Sequence, residues 1–139
     1  MQKFEDDKIL KIAFLIGGVY DLAIGIMLLV LPDILFEMLD ATKPEDMIFA
    51  QLTGLFLLGV GYFLVYAAYY DVRKLAFIGL GSCLIRFAYA AIVILTLATD
   101  DIETGYVMTA ATDIITALII LIPLLLTEGV SWTQLWQYE

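Results

Sequence analysis

LAFIGLGSCLIRFAYAAIVILTLA, Leu75 to Ala98, is the stretch that decides the fold. A bilayer's hydrocarbon core of roughly 30 Å takes about 20 residues of helix to cross, and this run is long enough. Its one charge, Arg86, sits near the middle, where a guanidinium cannot lose its proton and meets no water. The protein itself must therefore supply a counter-ion. Two other apolar runs each carry one acid near their centres, Asp21 and Asp113.

Composition fits that reading. Of the 139 residues, 63% are hydrophobic, against about 45–50% in soluble domains, and the mean hydropathy is +0.96, so an integral membrane protein is expected. The length allows one domain of four spans, an all-α bundle with helices at about 9–31, 44–70, 75–98 and 105–126. A formal charge of −9 with no histidine argues against nucleic acid, whose phosphates call for clustered Lys and Arg. The lone Cys83 lies inside the third run, can form no intrachain disulfide, and reads as a small packing residue.

The first apolar run, from about Ile12 to Leu31, is too long for the core of a signal peptide, contains Asp21 and lacks a small-x-small cleavage site, so it is expected to be a retained span. Gly18, Asp21 and Gly25 share one face, which should point into the bundle. Pro32 ends the helix. In the following DILFEMLDATKPED, Ile34, Leu35, Met38 and Leu39 recur at helical spacing against Asp33, Glu37 and Asp40, which predicts a short amphipathic helix on the membrane surface; an ordinary amphipathic loop is the alternative. Thr42 and Glu45, with Pro44 between them, resemble a capping box that would open the next helix.

In the second span Gln51, Gly54, Leu58, Gly61 and Val65 form a stripe that should face inward, with Gln51 at a depth to join the polar centre. Tyr62, Phe63, Tyr66, Tyr69 and Tyr70 suit an interfacial aromatic belt, with an aromatic ligand cage as the sharper alternative. The third span puts Gly79, Ser82, Cys83, Arg86 and Tyr89 on a common face, and Tyr89 is close enough to stack on the guanidinium or bond an acid. The fourth puts Thr109, Thr112, Asp113 and Thr116 on its polar side. Lys3, Lys8, Lys11, Arg73 and Lys74 fall on one side of the membrane and only Lys43 on the other, so the positive-inside rule places both termini in the cytoplasm of a multi-pass plasma-membrane protein. Trp132 and Trp136 in the tail suit an interfacial anchor, or alternatively a partner-docking peptide.

The functional question turns on Asp21, Arg86 and Asp113. One guanidinium has five donors and can serve two carboxylates. The sum is −1, which low dielectric disfavours and one bound proton would cancel. The structural reading is that the cluster fixes helix pairing in an accessory subunit that contacts lipid and either copies of itself or other membrane subunits. The alternative is a carrier or binder of protons, a small solute or lipid. No catalytic constellation, metal site or cofactor motif is readable.

Pro32 followed by LFEML, then FAQLTGLFLLGVGYFLVYAAYYD from Phe49 to Asp71, a basic residue in the third span and Thr112-Asp113 in the fourth resemble the small four-helix prokaryotic membrane proteins called DoxX-like. The resemblance runs from about Gly18 to Leu125 and rests on Gln51, Gly54, Gly61, Asp71, Arg86 and Asp113. It implies a four-helix bundle and, from some DoxX-type proteins, a subunit role in membrane oxidoreductase assemblies.

Overall fold

The computed structural model describes residues 2–127, with side chains from Asp7 onward, and among these it holds helices and no strand. The helices are α1 (Gln2–Val30), α2 (Pro32–Met38), α3 (Ile48–Tyr69), α4 (Ala76–Leu97) and α5 (Thr104–Leu126). All but α2 are long and apolar enough to cross a membrane, with mean hydropathy of 2.0 to 2.2 over their spans. The chain is thus a multi-pass membrane protein whose outer surface contacts lipid. Trp132 and Trp136 lie outside the described residues.

Two boundaries differ from expectation. α1 begins at Gln2 rather than near residue 9, because nothing in the charged N-terminal segment breaks a helix and the turns simply continue past the apolar run. α3 begins at Ile48 rather than Pro44. Thr42 does not open it through a capping box; its N–H donates instead to the Glu103 carboxylate, 2.8 Å away, and Asp46 accepts from the Ile48 N–H at 3.0 Å. At the other break, Leu31 precedes proline and adopts a non-helical φ of −131° and ψ of 47°, as the clash with a proline ring requires.

α1 is the central helix, packed on α3, α5 and α2, while α4 packs mainly on α5 and touches α3 sparsely. The closest pairing is antiparallel, between α1 and α3. A Cβ built on Gly61 would lie 2.7 Å from the Gly18 carbonyl oxygen, and one on Gly25 would lie 2.8 Å from that of Gly54. Only glycine lets two backbones meet this closely, which in lipid replaces the hydrophobic drive that water would provide. Towards the N-terminal side of the membrane the bundle is solid: Leu10, Phe14, Leu64, Cys83, Ala117 and Ile120 are buried together, and the Phe14 ring fills the space that a Gly79 side chain would take.

The opposite end is closed differently. α2 buries Leu35 and leaves Ile34 and Met38 exposed. It stops in a Schellman arrangement, with Ala41 N–H donating to Phe36 O at 3.0 Å and Asp40 N–H to Glu37 O at 3.1 Å. Asp40 occupies the left-handed position at φ 49°, which Asp tolerates better than most residues. The Leu39 carbonyl then sits where a side chain on Gly105 would be. An Asp33–Lys43 ion pair and the Thr42–Glu103 bond tie this segment down.

Gly61→Ala is expected to destabilise the detergent-solubilised protein by about 1–3 kcal/mol through overpacking against Gly18. Gly59→Ala, whose Cβ meets nothing within 4 Å, should leave the unfolding midpoint level or slightly higher. A second expectation concerns pH. The hydrogen bond from Thr42 holds the Glu103 carboxyl below its usual range. A depressed carboxyl stabilises the fold above the unfolded-state value, about 4.3, and that contribution disappears as pH falls through the lower folded-state value. Protection of the Thr42 amide, measured by NMR hydrogen exchange, should therefore hold at neutral pH and drop below roughly pH 4. In Glu103→Gln that pH dependence should vanish.

Candidate functional site

Arg86, 4% exposed, lies halfway along α4, and its guanidinium reaches three helices' worth of acceptors. Nη2 donates to Oδ1 of Asp21 on α1, Nη1 to Oδ1 of Asp113 on α5, and Nε to Oγ of Ser82 one turn back, at 3.3 Å. The Asp21 side chain is 1% exposed and that of Asp113 is 20%. The cluster thus joins the α1–α3 pair to the α4–α5 pair across the bundle, and charge-assisted bonds of this kind are the strong class.

An aromatic ring does lie over the guanidinium, but it is that of Tyr20, whose centroid is 5.5 Å from the Arg86 Cζ. Tyr89, expected in that role, instead hydrogen-bonds Thr109 Oγ1 at 2.8 Å, while Tyr20 bonds Thr112 Oγ1 at 3.0 Å. Thr109 and Thr112 donate their own protons to the carbonyls of Tyr106 and Thr109, so both phenols act as donors. They tie α5 to α1 and α4 in the turn that leads to Asp113. Thr116 is turned back onto the Thr112 carbonyl at 2.8 Å and stays within its own helix.

Gln51 does not join the centre. Its side chain is exposed. The Gly18–Gly61 and Gly25–Gly54 contacts set the α1–α3 register, which puts Gln51 level with Leu28, about 10 Å beyond Asp21 at 1.5 Å per residue. The α3 hydroxyl nearer the centre is that of Thr53. Gly18, Gly25, Gly54, Gly61 and Gly79 all sit at helix–helix contacts. Tyr62, Tyr66 and Tyr70 stack along the exposed face of α3, with centroids 6.2 and 5.5 Å apart, and so form no cage.

What the sequence did not disclose is a cavity of about 590 Å³ between the two helix pairs. Asp21, Ser82, Arg86 and Asp113 form its floor. Its walls are apolar, chiefly Ile24, Leu28, Leu57 and Val60, and Leu35, Phe36 and Leu39 of the α2 segment roof it above Gly105. Below the floor lies the solid core around Phe14 and Ile120, so the space is a blind pocket. Phe56 of α3 and Ile85 of α4 line it and are 51% and 46% exposed, which makes the seam between these helices a lateral mouth towards lipid. In volume and lining the space matches sites for single small ligands, about 300–1,000 Å³ and mostly apolar with a few placed polar groups.

Two carboxylate oxygens at the floor are left over. Oδ2 of Asp21 is fully buried and has no hydrogen-bond partner. Oδ2 of Asp113 makes no hydrogen bond among the described residues either, since Arg86 engages only Oδ1. Tyr20 and Gly105 were the site residues hardest to foresee, whereas Ser82 already shared a face with Arg86. An aromatic residue beside an intramembrane acid was a usable signal for Tyr20, whereas Gly105 resembled any loop glycine. The chain matches no protein-family model, no curated protein and no solved structure.

Arg86→Leu is expected to cost about 3–5 kcal/mol, because it strands two buried carboxylates. Combining it with Asp21→Asn and Asp113→Asn should recover most of that loss, measured by thermal or denaturant unfolding in a nonionic detergent. A single Arg86→Leu protein as stable as the parent would show that the cluster does not hold the bundle.

Proposed function

We propose that this membrane protein binds one membrane-borne amphiphile, with its apolar body between α3 and α4 and its polar head against the Asp21–Arg86–Asp113 cluster. The observation that carries this reading is the 590 Å³ blind cavity with that cluster as its floor. A cluster needed only for helix pairing has no reason to leave the Asp113 carboxylate partly open to an empty space, since close packing would cover it. The lateral mouth suits a ligand that arrives from the bilayer. The packed half below the floor favours binding over conduction of protons or solutes, which needs a continuous path.

On the positive-inside reading the N-terminal side is cytoplasmic, the membrane is the plasma membrane and the cavity lies in its outer half. α2 then lies at the outer surface as a roof. A second reading, the accessory subunit of a larger membrane assembly or a homo-oligomer, has its own support. α3 buries 17% of its apolar window against 28% to 39% for the other spans, which leaves a broad aromatic face for a neighbour. The resemblance to DoxX-like proteins points the same way, and a ligand-binding subunit would satisfy both readings.

Ala50 lines the cavity, and Ala50→Trp should fill it. The protein extracted in mild nonionic detergent is expected to be stabilised against heat by single-chain amphiphiles, by several degrees at saturation, and Ala50→Trp should abolish the shift while helical circular dichroism is retained. Undiminished stabilisation of Ala50→Trp would remove the cavity as the site. Extraction as a defined larger complex would support the accessory reading, and a monomer would count against it.

A further inference from the structure

The charged groups of the cavity are Asp21, Arg86 and Asp113, one cation against two carboxylates, so its floor carries a formal charge of −1. Arg86 turns three of its five N–H donors to protein oxygens, at Asp21, Asp113 and Ser82. The nearby hydroxyls of Tyr20, Tyr89 and Thr109 donate to protein as well, as argued above. The Arg86 side chain is only 5% exposed, so its remaining N–H groups are covered, whereas Oδ2 of Asp113 sits on a side chain that is 20% exposed; Oδ2 of Asp21 is fully buried and without a partner. A floor of this kind repels anions and leaves the open Asp113 acceptor unmet until a donor arrives, and in low dielectric both effects are large.

From this we infer that the head group taken by the cavity is a cationic hydrogen-bond donor, an amphiphilic amine without an adjoining phosphate or carboxylate. The inference rests on the binding reading proposed above and names its ligand class. The ammonium meets Asp113 first, because that carboxylate is the accessible one. It cancels the excess charge that Asp21 and Asp113 share, and the alkyl part lies along Leu57, Val60 and Ile85. A free single-chain amine and an ethanolamine lipid offer the same ammonium, but the lipid brings a phosphate to a floor that repels it.

The test uses the full-length wild-type protein in nonionic detergent near pH 7, where an alkylamine is protonated, and compares n-dodecylamine, n-dodecanol, dodecanoate and lysophosphatidylethanolamine by thermal shift and calorimetric titration. Dodecylamine is expected to bind about ten-fold or more tightly than dodecanol, with dodecanoate and the ethanolamine lipid weaker still. Asp113→Asn should lose about ten-fold in affinity for dodecylamine and change little towards dodecanol. Should that variant fail to fold, the head-group ranking on the wild type decides alone. If dodecanoate or the lipid binds as tightly as the amine, and Ala50→Trp blocks it, the inference is overturned while the binding function stands. If none of the four binds, both fall. Equal stabilisation by sodium ions alone, independent of any alkyl chain, would likewise overturn the amine.

Discussion

One guanidinium shared by two carboxylates holds the two halves of this bundle in register. A guanidinium at mid-membrane has no water to solvate it, so α4 is stable only where acids from elsewhere reach Arg86. Asp21 comes from α1 and Asp113 from α5. On insertion scales an ionised residue at a helix centre costs roughly 2.5–3.5 kcal/mol, so three that failed to meet would cost on the order of 8–10 kcal/mol. Few other arrangements of these helices avoid that cost. The Tyr20 ring over the guanidinium and the two tyrosine–threonine bonds then set how α5 rotates against its neighbours.

On either side of that cluster the bundle is built to two standards. Towards the N-terminal side it is filled, with Phe14 under Gly79 and Ile120 against Gly17. Towards α2 it is hollow. The glycine contacts between α1 and α3 extend into the hollow half, as far as Gly25 and Gly54, so that pair stays together there. The seam that opens is the one between α3 and α4, which have a tight connection at residues 70–75 but little contact elsewhere. The cavity is therefore framed by packed helices, and its roof is a seven-residue helix held by an ion pair and one carboxylate–amide bond.

The structural and ligand-binding readings of the cluster are compatible because the two carboxylates differ. Asp21 is enclosed and Asp113 is partly open to the cavity. Each gives one oxygen to Arg86 and keeps the other, and the one that Asp113 keeps is on the side chain open to the cavity. A buried salt bridge by itself is weak evidence for stability or function. A salt bridge with surplus acceptors beside a blind apolar space is a more specific arrangement, because general packing does not call for it.

Much of this was legible in the residues. Four spans followed from run lengths, the ionic cluster from three lone charges that had nowhere else to go, and the inward faces of α1 and α3 from glycines spaced along each, because each of these is a local property or a balance that any fold must satisfy. The register of one helix against another was not legible. It depends on which carbonyl meets which glycine, and it decided that Gln51 sits level with Leu28 instead of beside Asp21. The same register gave the guanidinium to Tyr20 rather than Tyr89, and it let the Thr42 N–H find Glu103, 61 residues away, in place of a local cap. The cavity lay furthest from view. A sequence records which side chains are present, but an empty volume exists only where several helices have been placed, so the tertiary structure alone decided that the charges bound for the middle of the bundle would border a space.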